Sequence, residues 1–234
     1  MASQKTFATL RKELLDTTKE EVVKATGPDS AIIACISFVD ELESTIGKTY
    51  KKLLEWYDLF VPELELTMTE FIEAAGKQKP SALKKAKSMG GAFLASDETM
   101  IQANVKLLES MQANKEKNLA YLEQLTKKHL PNVHLLLGSV LTAKLVKHAG
   151  SLKKLASVPA STIQLYGAEK ALFRHLKTRA KSPKHGVIIT HPYVQESENK
   201  GKAARVLADK IAICARTDYF KGELIAKKIL KELR

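Results

Sequence analysis

Two stretches of apolar residues, spaced alternately near three and near four, limit what this chain can fold into. Between Asp29 and Phe60 they stand at Ile32, Ile33, Ile36, Val39, Leu42, Ile46, Leu53, Leu54 and Tyr57. Between Asp97 and His129 they stand at Ile101, Val105, Leu108, Met111, Leu119, Leu122 and Leu125. Such spacing belongs to long helices that bury one seam against a neighbouring helix. The first would run roughly 45–50 Å at 1.5 Å per residue. Neither is apolar all round, so each must pack on the other, on the rest of the chain or on a partner. The simplest arrangement is an antiparallel hairpin over 29–130, with residues 63–96 as a less regular tip.

The stops and starts agree. Phe7 to Lys24 is amphipathic through Leu10, Leu14, Leu15, Val22 and Val23, and it ends at Gly27-Pro28. This gives an N-terminal helical segment, 1–28. Asp29 or Ser30 is placed to cap the long helix that follows, and Pro62 ends its pattern. In the tip, Glu63–Ala75 and Ser81–Lys87 are expected to be helical, with a break at Gly76–Pro80 and a bend at Gly90-Gly91. Ser96, followed by Asp97 and Glu98, is a good start for the second long helix; Pro131 ends it.

From Asn132 the character changes. Val133–Ala149 is strongly apolar and is expected to be one buried helix, stopped by Gly150. Ser151 caps a short helix to Ser157. Pro159 then stiffens the entry to a turn over Thr162–Tyr166 capped by Ser161, and Gly167 allows a sharp bend. From Ala168 the pattern is helical, with Ala168, Ala171, Leu172 and Leu176 inward and Lys170, Arg174 and Lys177 outward. A basic loop covers Arg179–His185, and Gly186–Thr190 is a short strand or an extended segment. After a polar loop, Lys202–Phe220 is a helix with Ala204, Leu207, Ala208, Ile211 and Ala215 inward and Arg205, Lys210 and Arg216 outward. A last helix ends at Arg234. With 44% hydrophobic and only 6% aromatic residues, the fold class is all-α.

The charge is segregated. Of the formal +12, residues 1–140 carry 18 Lys/Arg against 19 Asp/Glu, and residues 141–234 carry 20 against 7. A neutral element is thus joined to a basic, polyanion-binding one. Its cations Lys170, Arg174, Lys177, Lys184, Lys200, Lys202, Arg205 and Arg216 come from four segments, and their convergence would make a phosphate-contacting patch. Other chemistries find little support. Glu169 is the only acid between Val140 and Gln195, so paired carboxylates for acid–base or two-metal catalysis are missing. Glu169 is expected instead to pair with or orient a neighbouring group. The six histidines make no metal-type pair with cysteine. No Walker loop or dinucleotide fingerprint is present. Cys35 and Cys214 are expected to be buried, reduced thiols of a cytosolic protein. No apolar run is long enough for a bilayer, and Met1–Arg11 lacks the apolar core of a signal peptide. Tyr166, Phe173, Tyr193, Tyr219 and Phe220 fall mostly at inward helical positions, leaving few groups to stack on bases.

Several motifs occur in an order that resembles one family. Leu155–Lys177, with its Gly-Ala-Glu-Lys-Ala-Leu-Phe-Arg core, is similar to the signature of the Nop domain. Pro183-Lys184-His185-Gly186, Gly201-Lys202-Ala203-Ala204-Arg205 and Ala215-Arg216-Thr217-Asp218-Tyr219-Phe220 resemble its later motifs. Glu55-Trp56-Tyr57 and Pro62-Glu63-Leu64 resemble the coiled coil that precedes it. The likeness covers the chain from about Asp29 and leans toward archaeal scaffolds of box C/D RNA-guided methylation particles.

The resemblance implies a Nop RNP-binding domain over 131–234. It implies a non-enzymatic RNA-binding scaffold, without cofactor or metal, that recognises a kink-turn RNA together with its bound kink-turn protein. The implied contacts are Ser157 and Ala160, Lys184 and His185, and the helix bearing Lys202, Arg205 and Arg216. Gly167, Glu169, Lys170, Arg174 and Lys177 resemble the element that approaches guide RNA. The coiled coil resembles a homodimerisation device. Ser157 departs from a position usually basic. Fibrillarin is an implied partner only if an N-terminal domain, not present between Met1 and Arg234, exists upstream. Localisation would be cytoplasmic for an archaeal protein, nuclear or nucleolar for a eukaryotic one. A splicing-type or orphan Nop protein that binds an RNP without recruiting a methyltransferase is the alternative.

Overall fold

The computed structural model describes residues 7–25, 27–77, 80–83 and 88–233, and among these every regular element is helical. The expected Ser81–Lys87 helix is a 3-10 turn over Pro80–Leu83 as far as it is described. Residues 84–87, like 1–6, 26, 78–79 and 234, lie outside the described residues. The chain divides into two compact units, one within 1–36 and 122–234, the other 37–121.

The 37–121 unit is built on α2 (Pro28–Asp58), α3 (Met68–Lys77) and α4 (Ala95–His129). Leu53, Tyr57 and Val61 pack with Phe71, Ile72 and Ala75 of α3 and with Ile101, Val105 and Leu108 of α4. Lys115 reaches Glu43 at 2.8 Å. The pairing of 43 with 115 and of the Tyr57 region with Ile101 makes α2 and α4 antiparallel. The tip closes through Glu63, which accepts from Ser88 Oγ at 2.8 Å and from the Met89 amide at 2.7 Å. Tyr57 is fully buried between edge-on Phe71 and Phe93. Burial pushes its hydroxyl pKa up to about 12, with Glu98 adding to the rise.

The other unit holds α1 (Phe7–Ala25) and the C-terminal helices: α5 (Pro131–Leu137), α6 (Ser139–Ala149), α7 (Leu152–Ser157), α8 (Ala160–Leu165), α9 (Glu169–Thr178), α10 (Pro192–Gln195), α11 (Lys200–Tyr219) and α12 (Ala226–Glu232). Helix α11 is its axis and packs on α5, α7, α8 and α10. Its small inward residues Ala203, Ala204, Ala208, Ala212 and Ala215 let those helices approach closely, with Leu207, Ile211 and Cys214 filling between them. Burial pushes the Cys214 thiol up to about 12, Asp218 adding to the rise and Lys210 opposing it. Cys35 is also buried, its thiol raised by desolvation.

A polar staple fixes the start of α5. The carboxylate of Asp218 accepts from the Asn132 amide (3.0 Å), Asn132 Nδ2 (2.8 Å) and the Val133 amide (3.0 Å). Asn132 Oδ1 in turn accepts from the amides of Ile225 and Ala226 at 2.8 and 3.0 Å. Asp218 thereby caps α5, and Asn132 caps α12. Asp29, at the start of α2, accepts from the Leu152 amide at 2.9 Å and helps cap α7.

In the tip, α3 runs Met68–Lys77 rather than Glu63–Ala75, and four further expectations change in the C-terminal helices. Val133–Ala149 is two helices, because Gly138, at φ 78, turns the chain between them. Helix α8 starts at Ala160 without a side-chain cap, Pro159 supplying the extended entry in place of Ser161. Val187–Thr190 is a 3-10 turn rather than a strand. Its β-branched residues face no strand partner among the described residues, and buried Ile188 is satisfied by helices. Helix α11 begins two residues early, at Lys200, because Asn199 Oδ1 accepts from the Lys202 amide at 3.1 Å.

Candidate nucleic-acid interface

The basic residues expected to converge lie in three groups. The first surrounds the N-terminus of α11. A cleft of about 580 Å³ is lined by Lys184, His185, Glu198, Asn199, Lys200 and Gly201. Gln164 holds this loop in place by donating from Nε2 to the Lys184 carbonyl at 2.5 Å. Lys202 and Arg205 are exposed on the first turns of α11. Cations and the positive end of a helix here share one concavity, which suits a phosphate.

The second group lies at the α7–α8 turn. Ser157 is exposed at the end of α7, its hydroxyl donating back to the Lys154 carbonyl at 3.0 Å. Ala160 begins α8. Arg216 reaches this turn from α11 and donates from Nε to the Ala156 carbonyl at 3.2 Å, while the residue as a whole stays exposed. Eleven positions separate Arg205 from Arg216, close to three helical turns, so both lie on one face about 16 Å apart.

The third group is α9. Lys170, Arg174 and Lys177 are exposed, as expected. Leu176, expected inward, is instead 68% exposed, and Phe173 is 63% exposed. None of the ten residues of α9 is buried. The expectation of few available aromatics is corrected with it, since Phe220 (77%) and Tyr219 (38%) are also exposed. On an ideal helix Phe173 and Leu176 lie beside Lys170 and Lys177, giving a face that is apolar and cationic at once.

Gly167 precedes α9 at φ 85, a conformation that costs a glycine little. Glu169 bonds within the chain: one oxygen, Oε1, accepts from the Gly167 amide at 2.9 Å and lies 3.2 Å from His148 Nδ1. Burial alone would raise its pKa. The bonds from the Gly167 and Glu169 amides and from His148 outweigh that and hold it below the ordinary glutamate value. Of the two expectations for Glu169, RNA contact and internal pairing, the pairing is present in the geometry. The residues that sequence reasoning missed are those that hold others in place: His148, Gln164, and Asn132 with Asp218. Asn132 directly after a helix-starting proline was a readable sign; His148 and Gln164 carried none. Among the described residues no group of His, Cys, Asp and Glu is placed to hold a metal ion, and no helix is long and apolar enough to cross a membrane.

An all-helical domain with a basic cleft and a cationic, partly apolar helix has the charge distribution that suits contact with a polyanion. Comparison with known proteins gives its family. The family described as "Nop: snoRNA binding domain, fibrillarin" matches residues 38–234. The chain belongs to the Nop family. It is 37% identical over 230 residues to an uncharacterised NOP5 family protein of Methanocaldococcus jannaschii, covering 88% of this chain and 55% of that one. It is 36% identical over 220 residues to nucleolar protein 58 of Scheffersomyces stipitis (83% and 43% covered). To nucleolar protein 56 of Mus musculus it is 33% identical over 221 residues (82% and 38%). The chain thus spans about half the length, or less, of these relatives. A chain in the crystal structure of a fibrillarin/NOP5P complex is similar in fold, with a TM-score of 0.58 at 25% identity, covering 97% of this chain and 79% of that one.

Proposed function

We propose that this chain is a non-catalytic RNA-binding scaffold of the box C/D type, which recognises a kink-turn RNA together with the kink-turn protein already bound to it. The observation that carries the reading is the cleft at the start of α11, where Lys184, His185 and Lys200 meet beside Lys202 and Arg205, in a chain of a family described by snoRNA binding. Phosphate contacts from these groups position the RNA but read no sequence. Selectivity therefore comes from a shape fixed in advance by the smaller protein, and from contact with that protein's own surface. The exposed face of α9 supplies what the cleft lacks: Phe173 offers a stacking surface, flanked by Lys170 and Arg174 for the backbone.

The remaining partners belong to the same reading. Self-association through the α2–α4 hairpin is supported by the half-exposed Phe38, Leu107 and Tyr121. Fibrillarin is a partner of any natural form that carries the corresponding domain. A eukaryotic source would place the protein in the nucleolus, as the names of two relatives indicate for those proteins; an archaeal one would place it in the cytoplasm.

Titration of one labelled kink-turn RNA with this chain, with the small partner present or omitted, tests the composite site. Tighter binding with the partner is expected. Equal affinities would show that the chain reads RNA alone and would overturn the reading.

A further inference from the structure

Residues 167–185 leave the domain and return to it through a narrow neck. At the neck the Gly186 amide donates to the Gln164 carbonyl at 2.8 Å, and the Val187 amide donates to the Tyr166 carbonyl at 2.7 Å. A Cβ at Gly186 would overlap the Tyr166 carbonyl, and one at Gly167 would overlap Val187 Cγ1. Two glycines thus let the strands of the neck lie against each other. Beyond it, α9 folds back on its own return segment. Arg179, left-handed at φ 54, donates to the His175 carbonyl at 2.9 Å, and the His175 ring bonds the Ala180 carbonyl. Helix α9 has no buried residue to fix its direction. An excursion with its own internal bonds, a narrow base and little burial belongs to the low-stability end of a domain.

Besides the Gln164 bond to the Lys184 carbonyl at its base, a side-chain pair ties the start of the arm to the body of the domain. His148, on α6, lies 3.2 Å from Glu169 Oε1, its ring parallel to Tyr166 with centroids 6.1 Å apart. The same oxygen accepts the Gly167 amide. Glu169 therefore contacts both the glycine at the turn and a residue of α6, in the body of the domain. We propose that His148 and Glu169 form a latch that sets the angle of the α9 arm, and that His148 is a positioning residue for the Lys170, Phe173, Arg174 and Lys177 face. With the latch closed, that face has one orientation relative to the α11 cleft. With it open, the arm pivots at Gly167 and presents the face over a range of angles. The latch is partly exposed to water, so it biases the two states by a few-fold rather than locking one of them. A bias of that size leaves the arm able to adapt to a ligand while shortening its search.

The functional consequence rests on the RNA-facing reading of α9; the latch itself does not, and the measurement is made without RNA. Spin labels at Leu176→Cys on the arm and Lys153→Cys on α7 report the arm angle in the full chain. Both positions are exposed, and the native Cys35 and Cys214 are buried away from reagent. A single narrow distance distribution is expected for the labelled parent. Glu169→Gln and His148→Gln are each expected to broaden or displace it, and the double variant to go no further than either single, since one interaction is removed in all three. Superimposable distributions, or singles whose effects add, would overturn the proposal. Should Glu169→Gln fail to fold, His148→Gln tests the same latch while leaving the Gly167–Glu169 bond intact. A loosened arm with unchanged kink-turn RNA affinity would uphold the latch and remove α9 from the RNA-binding reading.

Discussion

The Arg216 side chain crosses from α11 to donate its Nε–H to the carbonyl of Ala156, 60 positions earlier and 3.2 Å away. One edge of the guanidinium is spent on positioning, while the residue as a whole stays exposed. Lysine has no equivalent of that fork. Arg216→Lys and Arg216→Ala are both expected to weaken binding to the kink-turn complex by about tenfold, near 1.4 kcal/mol. The melting temperature should move little. Binding titrations paired with thermal melts check this, and retained affinity in Arg216→Lys would show that charge alone suffices.

Asp218 and Asn132 are expected to be the costliest polar positions in the C-terminal unit. Asp218→Ala strands two backbone amides and the Asn132 side chain in a buried place, at about 3 kcal/mol or more. Asn132→Ala frees the amides at the start of α12 as well. Because the two residues share one network, the double variant should lose clearly less than the sum of the singles. Urea denaturation of the four proteins measures it.

A pH dependence should come from His134. Its Nδ1 lies 3.0 Å from Thr126 Oγ1, and burial is the main cause holding its pKa below the ordinary 6.5. Above pH 6.5 the ring is neutral in folded and unfolded chains, and the full stability is present. As pH falls below 6.5 the unfolded chain takes up the proton first, so stability declines until the lower folded value is passed. His134→Gln should flatten that part of the profile, measured as the urea midpoint against pH.

Affinity for RNA should fall steeply with salt. If about five phosphates are neutralised, log K against log salt has a slope of roughly −4 to −5 on duplex RNA. Arg205→Glu should lower affinity and make the slope shallower. A flat dependence would remove the basic groups from the interface.

The hairpin should hold two chains together. Light scattering at micromolar concentration is expected to give twice the chain mass, and Phe38→Glu with Tyr121→Glu to return it to the monomer value. A monomer at every concentration would leave those aromatic side chains without a partner.

Where periodicity ran long, the fold was legible. The seams of α2 and α4 and the inward alanines of α11 were readable because each repeats over several turns and burial follows the repeat. Short elements were not. Nothing in Val133–Ala149 distinguishes a glycine that a helix tolerates from one that breaks it, and Gly138 does the latter. Val187–Thr190 has strand-like residues, but a strand needs a neighbour, which is a tertiary fact. The cations of the site were readable as a set from charge segregation. The outward turn of Leu176 and Phe173 was not, since inward facing was inferred from an apolar stripe whose burial depends on tertiary neighbours. The pairing of Glu169 with His148, 21 positions apart on separate helices, leaves no trace in spacing.

The neck of the α9 arm has one more consequence, for length rather than angle. Tyr166 and Val187 already meet through a backbone hydrogen bond, so the chain between them begins and ends at nearly the same point. Such a segment behaves as a cassette: residues can be inserted or removed within it without displacing α8 or the turn at Val187, because loop closure depends only weakly on loop length. Related chains should therefore tolerate gaps and insertions between these two positions, and a grafted arm from another member should seat on this body, provided that both neck glycines are kept.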